Sequence, residues 1–193
     1  MKMATGPRFA ALAGLLVLMM MATRFKHFGD LLHLPDASMA TFFLGGVYLR
    51  RHWAFVAMLL LAVALDWVSI TYAGVSDFCV TAAYACLPLA YGVLWYAGSC
   101  YAPRLTGQFR SLAGAFGVAL LAAAVSFAIS NGAFYWLGGR YPDPNVVQYV
   151  SRLWQWGPLF VRTTMSYIAV ALVVHAVCAR LAAHSHVPRH QEA

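Results

Sequence analysis

The chain has four cysteines, Cys79, Cys86, Cys100 and Cys178, and the first stands where chemistry is conceivable. In VSDFCVTAAYACLPLAYG (residues 75–92), Asp77 precedes Cys79 and a long apolar run follows. A cysteine in the first turn of a helix meets free N–H groups and the positive end of the helix dipole. Both favour the thiolate, which is the nucleophilic and metal-binding form. Asp77 acts in the opposite sense, and an inert interfacial cysteine is the competing reading. Cys86 comes seven residues later, which on a helix puts it on the same face about 10 Å away. That separation is too long for a disulfide, so Cys86 reads as core. The absence of C-x-x-C or any even spacing argues against a disulfide framework or a zinc site.

Other polar residues lie inside apolar stretches. Asp66 is expected about eight residues, roughly 12 Å, from the end of its segment. A carboxylate at that depth must pair, hydrogen-bond or face a wet cavity. Arg152 and Arg162, on either side of Pro158, are candidates to answer Asp66 or Asp77, or to grip an anionic ligand. Tyr84 falls between the two nearby cysteines. His175 has no second intramembrane histidine to build a haem site with it, and reads as packed or hydrogen-bonded core. Trp67, Tyr72, Tyr135, Trp136, Tyr141, Tyr149, Trp154 and Trp156 exceed what an interfacial belt requires. With Asn131, Asn145, Gln148 and Gln155 among them, they would suit a large, flat, amide-fringed ligand.

These residues need a scaffold, and composition names its solvent. The 193 residues are 62% hydrophobic and 10% charged, with a mean hydropathy of +0.69. A soluble domain of this size cannot hide so much apolar surface, whereas a bilayer accommodates it. The expectation is one all-α integral membrane domain over residues 1–193. The net charge of +7 is scattered singly or in pairs between apolar runs, which excludes a contiguous nucleic-acid face.

Six apolar segments are expected to span, at 7–24, 36–50, 52–73, 78–99, 109–137 and 158–181. The first imitates a signal peptide but ends in a poor cleavage site, so it is read as a helix. The first two are short for the ~20 residues a span requires. A short helix lying at the interface is expected over 145–156, ahead of the last span. With the N-terminus inside, the inner segments carry Lys2, Arg8, Arg50, Arg51, Arg104, Arg110, Arg180 and Arg189. The outer ones carry Arg24, Lys26, Arg140 and Arg152, balanced by Asp30, Asp36, Asp77 and Asp143. That asymmetry puts both termini in the cytoplasm, with the elaborate loops and the function facing outward.

The layout, together with LDWVS (65–69), SDFCVTAAYACLPLAYGVLW (76–95) and SNGAFYWLGGRY (130–141), resembles the substrate-binding S-components of energy-coupling-factor (ECF) vitamin transporters. Within that group the chain is similar to the BtuM family, solitary S-components for cobalamin. The resemblance implies a six-transmembrane-helix S-component fold in the bacterial inner membrane, carrying cobalamin (vitamin B12) from the outer side into the cytoplasm. It implies that Cys79 ligates the corrinoid cobalt and can displace cyanide from cyanocobalamin, and that Asp66, Tyr84, His27 and Arg152 line the ligand. Cobalamin is then the substrate, and its cobalt needs one soft axial donor from the protein. No P-loop is present, so any ATP-driven step belongs to a shared energising module, with the small-residue face Ala10-xxx-Gly14 as its contact. The alternatives are a membrane thiol or quinone oxidoreductase, which needs a resolving cysteine near Cys79, and an S-component for a different vitamin.

Overall fold

The computed structural model describes residues 6–24 and 35–185, apart from the side chains of Cys79, His184 and Ser185. Among the described residues six α-helices follow one another: α1 (Gly6–Arg24), α2 (Ser38–Tyr48), α3 (His52–Ala73), α4 (Leu87–Tyr101), α5 (Phe109–Leu137) and α6 (Val146–Ser185). Short 3-10 turns at Asp77–Cys79 and Ala82–Cys86 precede α4, and another at Ala102–Arg104 follows it. Four helices, α1, α3, α5 and α6, are long and apolar enough to cross a membrane. Leu18, Leu60, Leu121, Val170 and Leu181, each more than 60% exposed, turn outward from them. So many bare aliphatic side chains on long helices mark a multi-pass membrane protein.

The helices at 52–73 and 109–137 have the expected bounds, and three other expectations need correction. Residues 36–50 form an α-helix of 11 residues, about 16 Å long, roughly half the ~30 Å hydrocarbon core. The stretch 78–99 is not one helix. Val80 and Thr81 are extended, Ala82–Cys86 winds as a 3-10 helix, and α4 begins only at Leu87 with Pro88 in its first turn. Proline has no N–H to give to the preceding turn, so the α-helical ladder starts there rather than running through. At 145–181 the expected break is absent: α6 is continuous over 40 residues with Pro158 inside it. Membrane helices tolerate such a proline because neighbouring groups satisfy the freed carbonyl.

The short helix α2 is the centre of the molecule. Phe42, Phe43 and Ala40 are fully buried, and α1, α3, α4 and α6 all pack on it. Its closest neighbour is α4, and glycine makes the approach possible. A Cβ added to Gly46 would collide with the Trp95 carbonyl oxygen, and one on Gly98 with the Phe43 carbonyl oxygen. Ser99 Oγ donates to the Gly46 carbonyl at 3.0 Å across the same crossing. At the start of α2, Asp36 accepts from the Ser38 N–H at 2.9 Å and from the Ser38 hydroxyl at 2.6 Å. Thr23 on α1 accepts from the Ala37 N–H at 3.1 Å, tying the two helix ends together.

The bundle has two unlike ends. One holds the end of α1, the start of α2, the 3-10 turns before α4 and the α5–α6 connection, with Asp36, Asp66, Asp77 and Asp143 among its charges. The other carries Arg8, Arg50, Arg51, Arg104, Arg110 and Arg180 with no acid among the described residues. His175 lies toward this end, where Tyr48 Oη meets its Nδ1 at 3.3 Å, the hydrogen-bonded role expected for it.

Candidate functional site

At the acidic end, Asp66 is paired, but with neither arginine expected for it. Arg24, the last residue of α1, grips it with two parallel bonds of 2.6 Å, Nε to one carboxylate oxygen and Nη2 to the other. This fork geometry is the strongest form of a charged hydrogen bond. The third nitrogen, Nη1, donates to Ser38 Oγ at 2.7 Å and Tyr91 Oη at 3.1 Å, with Asp36 at 3.8 Å. Tyr84 donates its hydroxyl to Asp66 Oδ2 at 2.5 Å. One guanidinium thus holds α1, α2, α3 and α4 together, and two carboxylates stand against one cation. The Arg24 side chain is 11% exposed and that of Asp66 24%, so the pair is largely removed from water. Phe42 stacks on Tyr91 at 4.2 Å and closes the cluster from the core side.

A second polar region lies at the same end, on the other side. Arg152 on α6 lies over the Tyr141 ring at 4.9 Å, and Arg140 over the Phe78 ring at 4.8 Å. Phe134 joins them, 5.7 Å from Phe78 and 6.4 Å from Tyr141. The Cys79 backbone is therefore held beside this patch, in a three-residue 3-10 turn whose first residue, Asp77, follows the cap Ser76. Such a turn has no helix dipole, so the helix-start argument for a Cys79 thiolate fails. The same break removes the shared helical face inferred for Cys79 and Cys86. Cys86 is half-buried, at the end of the second 3-10 turn.

The aromatic set around α5 and α6 closes on itself. Tyr135, 1% exposed, contacts the rings of Tyr141 at 4.7 Å and Tyr149 at 5.6 Å. Its hydroxyl accepts from the Asn145 N–H at 2.8 Å and donates to Gln148 Oε1 at 2.6 Å. The Gln148 amide expected to fringe a ligand thus anchors the α5–α6 connection instead. Trp67, Tyr72 and Trp154 remain exposed.

Of the residues singled out from the sequence, Asp66 and Tyr84 come together directly. Arg152 stands apart from them, beside the aromatic patch. His27 lies outside the described residues. Arg24 was missed because it sits at a segment end, where a basic residue reads as a topology signal, and only the packing of α1 on α3 turns it inward. Tyr91 was missed as one aromatic among many. A cavity of about 220 Å³ adjoins the cluster between α3 and α4, walled by Leu59, Ala62, Val63, Tyr84, Leu87 and Tyr91. It is smaller than the ~300 Å³ lower bound of drug-sized pockets, and a corrinoid exceeds that class. No protein-family model matches the chain, and no curated protein matches it either.

Proposed function

We propose that the chain is a membrane carrier for cobalamin of the S-component type, with both termini in the cytoplasm of a bacterium and the acidic end facing outward. The observation that carries the reading is the convergence of Asp66 and Tyr84, 18 residues apart in sequence, at the end that also holds Arg152 and the Cys79 turn. The resemblance names all four residues for the ligand. In this reading the corrin, a flat macrocycle too large for the cavity of about 220 Å³ beside α3, lies across this end. Exposed Trp67, Tyr72 and Phe78 offer it apolar surface.

In this reading Cys79 supplies an axial sulfur to cobalt, and the metal itself stabilises the thiolate that the 3-10 turn does not. With cyanocobalamin the exchange balances without redox change: a sulfur–cobalt bond forms, the cobalt–cyanide bond breaks, and cyanide leaves with the thiol proton as HCN. A fixed thiolate has the advantage of proximity over any free thiol. Asp66 and Tyr84 hydrogen-bond the ligand's polar rim, and Arg24 holds the carboxylate in place. Any energising module would meet the Ala10-xxx-Gly14 face, where a Cβ added to Gly14 meets nothing within 4 Å.

The test is the visible spectrum of purified protein mixed with cyanocobalamin. A slow shift is expected with the wild type and with Cys86→Ala, and none with Cys79→Ala. An equal shift in both variants, or none in the wild type, would sink the assignment. For transport, Gly14→Leu is expected to keep binding and lower uptake in cells.

A further inference from the structure

At the arginine-rich end, α1 and α3 leave between them a groove of about 300 Å³ walled by Phe9, Ala13, Val17, Trp53, Ala57 and Leu61. Phe9 and Trp53, with ring centroids 5.3 Å apart, mark the end of the groove nearest the α2–α3 turn. There the Arg51 guanidinium lies over the Phe9 ring at 5.3 Å. Its Nε is shut off from solvent and has no hydrogen-bond partner among the described residues. Arg50 beside it holds φ at 56°, in the left-handed region that glycine occupies freely and a residue with a side chain does not. The chain keeps a cation where glycine would sit more easily, and strain of that kind points to a use for the side chain.

We propose that this groove and the Arg50–Arg51 turn bind one anionic phospholipid, its acyl chain along the groove and its phosphate at the arginines. A hydrocarbon-lined groove in a bilayer gives water no partners, so a lipid chain fills it. The surrounding charge selects the headgroup, because six arginines and no acid among the described residues attract a phosphate. Trp53, 58% exposed, sits where an indole marks the level of lipid headgroups. α3 also starts here without a side-chain cap or an acid in its first turn; the Ala54 N–H turns back to the Arg51 carbonyl, and those of His52 and Trp53 face the start of the helix, where its dipole favours an anion. A zwitterionic lipid offers the same chain but brings a cation that the two arginines repel. A protein helix in the groove would have to bring its own acid. The inference does not depend on cobalamin.

Trp53 is the reporter. Wild type and Trp53→Phe are placed in phosphatidylcholine vesicles containing graded amounts of phosphatidylglycerol or phosphatidylcholine with brominated acyl chains. The difference in fluorescence isolates Trp53. Half-quenching is expected at an at least about fivefold lower mole fraction of the brominated phosphatidylglycerol, the preference one basic residue confers at a membrane surface. Arg50→Gly with Arg51→Gln is expected to abolish the preference. Arg50→Gly relieves backbone strain, and circular dichroism of the double variant checks that the loss is not unfolding. Equal quenching by the two lipids, or a preference that survives the double variant, overturns the proposal. So does loss of the preference on adding soluble glycerol phosphate, which would make this a free-phosphate site. No quenching by either lipid also overturns it, since a protein then covers the groove.

Discussion

Around Asp66, all three Arg24 nitrogens and both carboxylate oxygens have partners. In the aromatic patch at the same end, Arg152 Nε is buried without one among the described residues, as are Asn131 Oδ1 on α5 and Thr81 Oγ1 before α4. The first region is a closed ionic knot tying four helices. The second is a hydrophobic stack with polar atoms left in reserve. Buried polar atoms are rarely left unpaired, so the second region is where a ligand would gain most by arriving. In the first, a ligand would have to compete with bonds already made. Removing a partner should therefore cost stability as well as function in the knot, where Asp66 and Tyr84 would also meet the ligand, and mainly function in the patch.

The largest effect is expected from Arg24→Leu, which strands the Asp66 carboxylate. Loss of about 3–5 kcal/mol is expected, as for a buried pair broken on one side, read by thermal unfolding in detergent. Arg24→Leu combined with Asp66→Leu should recover most of it, because the remaining carboxylate, Asp36, is 46% exposed and keeps its bonds to Ser38. Additive losses instead would mean that the two residues are not one unit. The same logic makes Asp66→Asn a better probe of uptake than Asp66→Ala, since the amide still offers an oxygen to Arg24.

Tyr135→Phe comes next. It deprives the Asn145 N–H and the Gln148 side chain of their shared partner, and about 1–3 kcal/mol of stability should go. That would be the structural component of the patch. Tyr84→Phe removes one donor from a carboxylate that keeps both bonds to Arg24. About 1 kcal/mol or less is expected at this half-buried position. Arg152→Met should be smallest in stability, within about 0.5 kcal/mol. It takes away the charge that lies over the Tyr141 ring and leaves an apolar side chain of similar length. If cobalamin is the ligand, this variant should nonetheless lower uptake more than Tyr84→Phe does. The reverse order would make Asp66 and Tyr84, rather than Arg152, the main hold on the ligand.

The expectation that Asp66 needs a partner held because the physics is local: a carboxylate in an apolar segment cannot stay alone whatever the fold. Which partner it takes is a matter of helix placement, and Arg24 is 42 residues away. Pro88 and Pro158 show the same division. Both are plain in the sequence, and proline offers either a break or a kink. At Pro88 it marks the true start of α4, with extended Val80 and Thr81 before it. At Pro158 the helix runs on, supported on one side by α5, where Gly157 lets Phe127 come close.

Composition and hydropathy by themselves determined the solvent, the helical class and the bounds of α3 and α5, since each follows from the length and polarity of a single segment. The unlike charge of the two ends was equally legible, being a property of the loops alone. Only the tertiary structure decided that α2, a short weak helix with two adjacent glycines, is the buried hub rather than a marginal span. Those glycines signal close approach without saying to what, and the answer, the Trp95 backbone, lies on another helix. It also decided that Arg24 turns inward while Arg51 lies over Phe9 at the edge of a groove. A charge's role depends on what packs around it, and packing joins residues that the chain keeps far apart.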